Sequence, residues 1–386
     1  MTEAPPPRLL HVFPGFGAGG TQLRMVSILN SLGPSFAHRI VSLDKNLEAA
    51  SSLSVCIDAT VEGPPPTGSG ALFFRNLVRS IRPAAVLTYN WGSIEATLGA
   101  RLAGICPVIH NECGFTQEEA TRLLRRRVWA RRALLNAVFQ TVATSRTMLR
   151  VARDQYKLSS KKVRLISTGV DVARYKPGRN TAGRQTLNIP EGTILIGYLG
   201  GLRPEKNLGL LIRAFHAANL PDARLILAGE GPCRDELQKL AADLRLAGRV
   251  IFPGRQLDPA PYLAMLDVFA MSSATEQVSN AQLEAMASGL PVVCTDVGDS
   301  RELLGETSEG CVVAPDDEEG YAQALRQVAE NPERRARIGA ANRGRAVERY
   351  SKERMVREYA ALLGEAINRP APLDEFANPL AERGLR

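Results

Sequence analysis

At 386 residues the chain is longer than one hydrophobic core usually organises, and 45% hydrophobic with 23% charged residues is the composition of an ordinary globular protein, so about two domains are expected. No apolar run approaches the ~20 residues that cross a bilayer. The start MTEAPPPRLL has neither a basic nor an apolar leader region, so a cytoplasmic location is expected. The net charge of +8 is uneven: residues 1–175 hold 22 Lys/Arg against 11 Asp/Glu, and the remainder 26 against 29. That asymmetry directs the first half toward an anionic partner: nucleic acid, acidic lipid or a phosphorylated substrate.

From the N-terminus, LLHVF reads as a buried strand and QLRMVSILNSL as a helix, and between them FPGFGAGGTQ spells GxGxxG with Gly15, Gly17 and Gly20. Asp44 ends the next strand-like run, HRIVSL, where a dinucleotide enzyme would hold ribose hydroxyls. Glycines are also demanded by any tight strand-to-helix turn, so the motif alone leaves both readings open. Strand-like runs continue as AAVLTY, PVIHN, TVAT and VRLIS, then after a Gly- and Pro-rich stretch, STGVDVARYKPGRNTAGRQTLNIPEG, as ILIGYLG, RLILAG, VIFPG, DVFAMS, PVVCT and GCVVA. Strands alternating with helices predict parallel sheets covered on both faces, here two doubly wound Rossmann-like domains facing across a cleft, with the stretch between the two series as linker.

In the first series, TRLLRRRVWARRALLNAVFQ places Arg122, Arg125, Arg126, Trp129 and Arg132 on one helical stripe and Leu124, Val128, Leu135 and Phe139 on another, with Arg127 and Arg131 intruding on the apolar side. A Trp among arginines suits an anionic membrane interface, and a solvated basic face is the equal alternative. No nucleic-acid motif accompanies the charge, and aromatics are only 5%, so nucleic acid is not expected as a partner. In the second series, Arg203 and Lys206 lie three apart in GYLGGLRPEKN, a fork and a point charge for one anion. LAGEGP ends a strand with Gly229 and Gly231, where backbone can approach a flat base. In SSATEQVSNAQLEAMASGLPVV, Ser279 and Gln282 form a capping box at the start of a helix whose N-terminus suits a phosphate. Glu276 in the loop and Glu284 inside that helix are too far apart to pair as a dyad, and instead suit different hydroxyls of one elongated ligand. The chain holds no DxD, so no metal clamp on a diphosphate is expected. Six scattered cysteines with four histidines give neither a disulfide framework nor a zinc site, and mostly buried thiols are expected.

The ordered set STGVD, GLRPEKN, LAGEGP, the Glu-seven-residues-Glu spacing in TEQVSNAQLE, and TDVGDSRELL resembles family 4 of the retaining glycosyltransferases, which have the GT-B fold. The resemblance spans nearly the whole chain, although the loop after Glu276 reads QVSN where a glycine-and-aromatic version is more frequent. It implies an N-terminal acceptor domain over 1–172, a C-terminal nucleotide-sugar domain over 173–350, a helix over 351–368 crossing back to the first domain, and a tail over 369–386, which is expected to be partly disordered. It further implies that Arg203 and Lys206 hold the donor diphosphate, that Glu284 accepts from ribose, and that Glu276 grips the donor sugar beside the amides of Ser279, Asn280 and Ala281. Gly229, Gly231 and Arg255 line the nucleotide in the same reading. His110 would stand near the transferring sugar, and the Gly19–Gly20 pair, rather than the GxGxxG spacing of Gly15, Gly17 and Gly20, would let backbone close on the donor. The implied reaction is metal-independent, cofactor-free transfer from a UDP- or GDP-sugar to a lipid-linked or saccharide acceptor in envelope or exopolysaccharide synthesis, at the inner face of the cytoplasmic membrane if the basic helix binds there. A sugar-nucleotide epimerase of the same fold, and a dinucleotide oxidoreductase, stay open as alternatives.

Overall fold

In the computed structural model, which describes residues 5–66, 68, 70–114, 119, 123–308 and 310–368, every apolar run singled out above becomes a strand. The chain divides into two compact units, one ending at Thr168 and resumed from Glu353, the other Gly169–Lys352.

The first unit holds β1 (Arg8–Phe13), β2 (Ala37–Ser42), β3 (Asp58–Glu62), β4 (Ala85–Tyr89), β5 (Val108–Glu112), β6 (Gln140–Ala143) and β7 (Val163–Leu165), hydrogen-bonded in the order β3-β2-β1-β4-β5-β6-β7. All of these pairings are parallel, so each strand needs a helical crossover, and the crossovers cover both faces. Alternate residues separate the two faces: Leu10 and Val12 pack with helices Ala71–Ile81, Ile94–Ala103, Arg125–Leu135 and Arg146–Asp154. Leu9 and Phe13 pack with helix Gly20–Leu32 and with Met355, Val356, Tyr359, Leu362 and Leu363 of the C-terminal helix Lys352–Ile367. Strand β3 has no counterpart among the predicted runs, because DATVE is a partly exposed edge strand without the apolar run of a buried one.

The second unit holds β8 (Ile194–Leu199), β9 (Ala223–Ala228), β10 (Val250–Ile251), β11 (Val268–Met271), β12 (Val292–Thr295) and β13 (Val312–Val313), in the order β10-β9-β8-β11-β12-β13, again all parallel. The stretch expected as a linker belongs to this unit from Gly169 onward. Val170 bridges Ser351, Lys352 Nζ donates to Asp171 at 2.9 Å, and Thr181–Thr186 forms a short helix capped by the Asn180 side chain. Arg184 of that helix is buried and donates to the carbonyls of Met265 and Thr193 and to Asp267. Composition alone cannot distinguish a loop packed in this way from a free linker. The tail over 369–386 lies outside the described residues, as do Thr121 and Arg122.

Candidate functional site

In the second unit the chain runs outward from β8 through β9 to β10, then returns to β11 on the other side of β8. The connections leaving the carboxyl ends of β8 and β11 therefore diverge, which is where open α/β sheets form a ligand crevice. The loop after β8 carries Arg203 and Lys206, and the loop after β11 carries Glu276. Backbone and hydroxyl contacts clamp these loops together: Ala274 N donates to Glu205 O at 2.9 Å and Ser272 Oγ to Lys206 O at 3.0 Å. Lys206 Nζ donates to Glu276 Oε1, which also accepts from Ser273 Oγ at 3.2 Å. Both side chains of this pair are part-buried, at 22% and 15% exposure, so the pair is shielded from bulk water yet reachable. Arg203 differs: its guanidinium is 66% exposed and 3.9 Å from Glu205, so the two cations expected to share one anion rest on different carboxylates.

Ser279 caps helix Asn280–Ala287 by accepting from Gln282 N at 3.2 Å. The other half of the expected capping box is corrected. Gln282 is fully buried and its amide exchanges hydrogen bonds with Ser300 instead of reaching back. Asn280 and Ala281 form the first turn after the cap, with Glu284 one turn further on. Burial pushes the Glu284 carboxyl up to about 7, against the opposing pull of a hydrogen bond from Tyr175 and the charge of Arg174. Arg174 lies over the Tyr175 ring at 5.3 Å and donates to Asp258 at 2.8 Å. Glu276 and Glu284 thus have separate partners, as their placement on loop and helix requires. Tyr175, which shapes Glu284, was not legible as a site residue: it lies over a hundred positions away in a segment read as linker.

Gly229 and Gly231 have a requirement internal to the fold. A Cβ at 229 would stand 1.8 Å from Gly200 O, and one at 231 would stand 2.3 Å from Leu202 O, so glycine there seats the loop after β9 against the loop after β8. Arg255 is exposed after β10, next to Gly254, whose own Cβ position faces Glu230 Oε1 at 3.1 Å.

In the first unit, Gly19 and Gly20 are the N-cap and first residue of helix Gly20–Leu32, and Gln22 Nε2 ties the loop by donating to Gly15 O at 2.7 Å. The Asp44 carboxylate covers Gly15 and accepts from Ser42 Oγ at 2.9 Å and Asn46 N at 3.0 Å. His110, which the resemblance places near the transferring sugar, lies in the middle of β5 and not past its end. The imidazole is fully buried inside β5, with Nδ1 2.8 Å from Thr88 Oγ1 and Nε2 3.3 Å from Glu112 Oε1. A histidine in mid-strand points into a layer already filled by its neighbours, so its ring is partnered by protein. The intrusion of Arg131 on the apolar side of its helix is explained by the same layer. It is 1% exposed, donates to Glu112 Oε1 at 2.7 Å and Glu119 Oε1 at 2.8 Å, and lies over the rings of Trp91 and Tyr156. Burial would raise the pKa of Glu112, but the His110 hydrogen bond and the Arg131 charge bring it below the usual carboxylate range. The cysteines are less hidden than expected: Cys294 and Cys311 are buried, Cys56 is exposed, and the other three are intermediate.

Two family models divide the chain much as the fold does: Glycosyltransferase Family 4 matches residues 50–174 and Glycosyl transferases group 1 matches residues 180–345. The chain belongs to glycosyltransferase family 4. This family 4 chain is 36% identical over 180 residues to the lipopolysaccharide core biosynthesis glycosyltransferase LpsE of Rhizobium meliloti, covering 47% of its own length and 52% of LpsE. It is 32% identical over 177 residues to an N-acetylgalactosaminyltransferase of Campylobacter jejuni whose name gives a diphospho-undecaprenol acceptor, covering 46% and 47% of the two chains. The match therefore spans about half the length of these curated relatives. Among solved structures, Anabaena HepE in complex with UDP superposes with a TM-score of 0.82 at 20% identity, over 93% of this chain and all of that one. WaaG, a lipopolysaccharide glycosyltransferase, superposes at 0.69 and 16% identity, over 92% and 99%. The family 4 chain has the GT-B fold, two parallel-sheet Rossmann-like domains.

Proposed function

We propose that the protein transfers a sugar from a UDP- or GDP-linked donor to a lipid-linked or glycolipid acceptor in cell-envelope or exopolysaccharide synthesis, with retention at the anomeric carbon. The observation that carries this reading is the clamped pair of loops at the carboxyl ends of β8 and β11. It joins Lys206, on the loop that also carries the exposed Arg203, to Glu276, three residues before the Ser279 cap of helix Asn280–Ala287. A nucleotide sugar meets each group with complementary chemistry. Its diphosphate takes Arg203, Lys206 and the dipole end of helix Asn280–Ala287, its ribose hydroxyls donate to Glu284, and its sugar hydroxyls donate to Glu276. In the reaction the acceptor oxygen bonds to the anomeric carbon as the bond to the diphosphate oxygen breaks. Arg203 and Lys206 hold the charge that develops, and the departing phosphate helps to take the acceptor proton. These cations supply the neutralisation without a metal or a further cofactor. The names of LpsE and of the Campylobacter enzyme support an envelope saccharide or polyprenyl diphosphate as acceptor, and the UDP bound to HepE supports a uridine donor. No described helix is long and apolar enough to cross a membrane, and the exposed residues Arg125, Arg126, Trp129 and Arg132 support a peripheral place at the inner leaflet.

A thermal-shift panel of UDP- and GDP-sugars identifies the donor. Turnover by Lys206→Ala and Glu276→Ala is expected to fall by about 10²–10³ with the fold retained, the range for removing one preorganised charge-stabilising group. Near-normal turnover by either variant sinks the assignment. Failure to release nucleoside diphosphate when donor and acceptor are both present favours the epimerase reading.

A further inference from the structure

Strand β12 ends at Thr295, and the stretch TDVGDS that carries the chain from it into helix Ser300–Leu304 touches the loop of Glu276 at three points. At the start of that loop, Thr295 Oγ1 donates to Ser273 O at 2.6 Å. In its middle, Asp299 N donates to Gln277 O at 2.9 Å. Where it enters the next helix, Ser300 Oγ donates to Gln282 Oε1 at 3.2 Å and Gln282 Nε2 donates back to Ser300 O at 3.3 Å. Ser273, Thr295 and Gln282 are fully buried and Ser300 nearly so, so water does not compete for these bonds.

The fold brings the two loops together because β11 and β12 pair in parallel, so the segments leaving their carboxyl ends lie side by side. Gly298 lets them meet: its φ is +55°, and a Cβ there would stand 2.4 Å from Gln277 O and 2.5 Å from Glu276 O. Any other residue would be strained in its backbone and would push against the carbonyls beside the Glu276 side chain. Ser273 passes the grip on to that side chain. Its carbonyl is held by Thr295, and its hydroxyl donates to Glu276 Oε1 at 3.2 Å, the oxygen that also takes Lys206 Nζ. Glu276 Oε2 has no partner among the described residues.

We propose that the loop after β12 is the template that aims Glu276: Ser273 and Lys206 fix Oε1, and Oε2 is left for a hydroxyl of the sugar being transferred. Thr295, Gly298 and Ser300 are then positioning residues that act through Glu276. The proposal rests on the reading of Glu276 as the group that grips the donor sugar. Hydrogen bonds weaken steeply as their angle closes, and a misplacement of about 1 Å can cost about 10²-fold in rate, so a carboxylate on an unbraced loop would lose most of its value. UDP or GDP alone offers Oε2 no sugar hydroxyl. The template therefore acts on the nucleotide sugar and not on the bare nucleotide.

The test compares the UDP- or GDP-sugar selected by the thermal-shift panel with the matching UDP or GDP, each titrated calorimetrically into the full chain and its variants. Thr295→Val and Gly298→Ala are expected to weaken the sugar nucleotide by about 10-fold, the worth of one hydrogen bond to a charged group, with the affinity for the bare diphosphate unchanged. Thr295→Ser keeps the hydroxyl and is expected to bind like the parent, whereas a role in packing alone would tolerate valine and not serine. Adding Thr295→Val to Glu276→Ala is expected to cost nothing further, since both act on one contact. If Gly298→Ala does not fold, the two variants at 295 decide alone. Loss of sugar-nucleotide affinity in Glu276→Ala but not in the folded loop variants overturns the template and leaves Glu276 its role. An unaffected Glu276→Ala overturns the reading of Glu276 and the template with it. Equal losses for the sugar nucleotide and the bare diphosphate, or losses that add in the double variant, also overturn the template.

Discussion

If Glu284 receives the donor ribose, as proposed, its raised carboxyl makes donor binding titrate in the neutral range. Its carboxyl is pushed from 4.5 to about 7 by burial, so near neutrality only about half of the ligand-free molecules carry the charge that ribose hydroxyls need as acceptor. If only the ionised form binds, the apparent donor affinity is set by the ionised fraction. Lowering the pH from 8 to 6 then weakens binding about 10-fold. The sign for stability is opposite to that of a salt-bridged acid. A folded pKa above the unfolded one means the folded state favours the neutral acid, so stability is undiminished below pH 4.5 and is lost as pH rises toward 7, by about 3 kcal/mol once ionisation is complete. Glu284→Gln removes that cost. Above pH 7 the variant is expected to melt higher than the parent while binding donor weakly and without pH dependence; near pH 4.5 the two melt together. Tyr175→Phe deletes a hydrogen bond that stabilises the charged carboxyl, and is expected to move the binding midpoint upward. Calorimetric titration with a sugar nucleotide, whose diphosphate is esterified at both ends and carries no titrating oxygen in this range, measures affinity free of ligand protonation. Donor affinity flat between pH 6 and 8, or Glu284→Gln melting no higher than the parent at pH 8, refutes the reasoning.

Three further outcomes follow from packing. His110→Ala is expected to lower the melting temperature, because it strips partners from Thr88 and Glu112 in a fully buried layer at about 1–3 kcal/mol; an unchanged melt with a collapse in turnover would instead return His110 to the reacting sugar. Arg131→Met leaves Glu112 and Glu119 buried without their shared cation and is expected to cost about 3–5 kcal/mol in chemical denaturation. Gly229→Ala puts a methyl against the Gly200 carbonyl, with backbone on both sides, and is expected to destabilise the second unit by at least about 1–3 kcal/mol. A wild-type-like denaturation curve for that variant would show that the two loops separate freely.

The sequence by itself determined the two parallel sheets, because twelve buried strands in such sheets are short apolar runs and their helices repeat at a different period. It missed β3, whose edge position leaves it polar. It also placed Arg203, Lys206, Glu276 and Glu284 on the right elements, since loop residues after strands and the Ser279 cap are local signals. Tertiary structure alone decided what each of those groups touches. Lys206 closes on Glu276 seventy residues away, burial against the opposing pull of Tyr175 and Arg174 sets the charge of Glu284, and Ser300 takes the amide that the local pattern assigned to a capping box. His110 is the clearest case. Its position in PVIHNECG says only that it is near a strand end, whereas Thr88, Glu112 and Arg131, contributed by β4, β5 and a crossover helix, determine that its ring is buried and partnered. Periodicity and caps are properties of consecutive residues. Burial, ion pairing and a shifted pKa arise from neighbours brought together across crossovers, and no local window of sequence contains them.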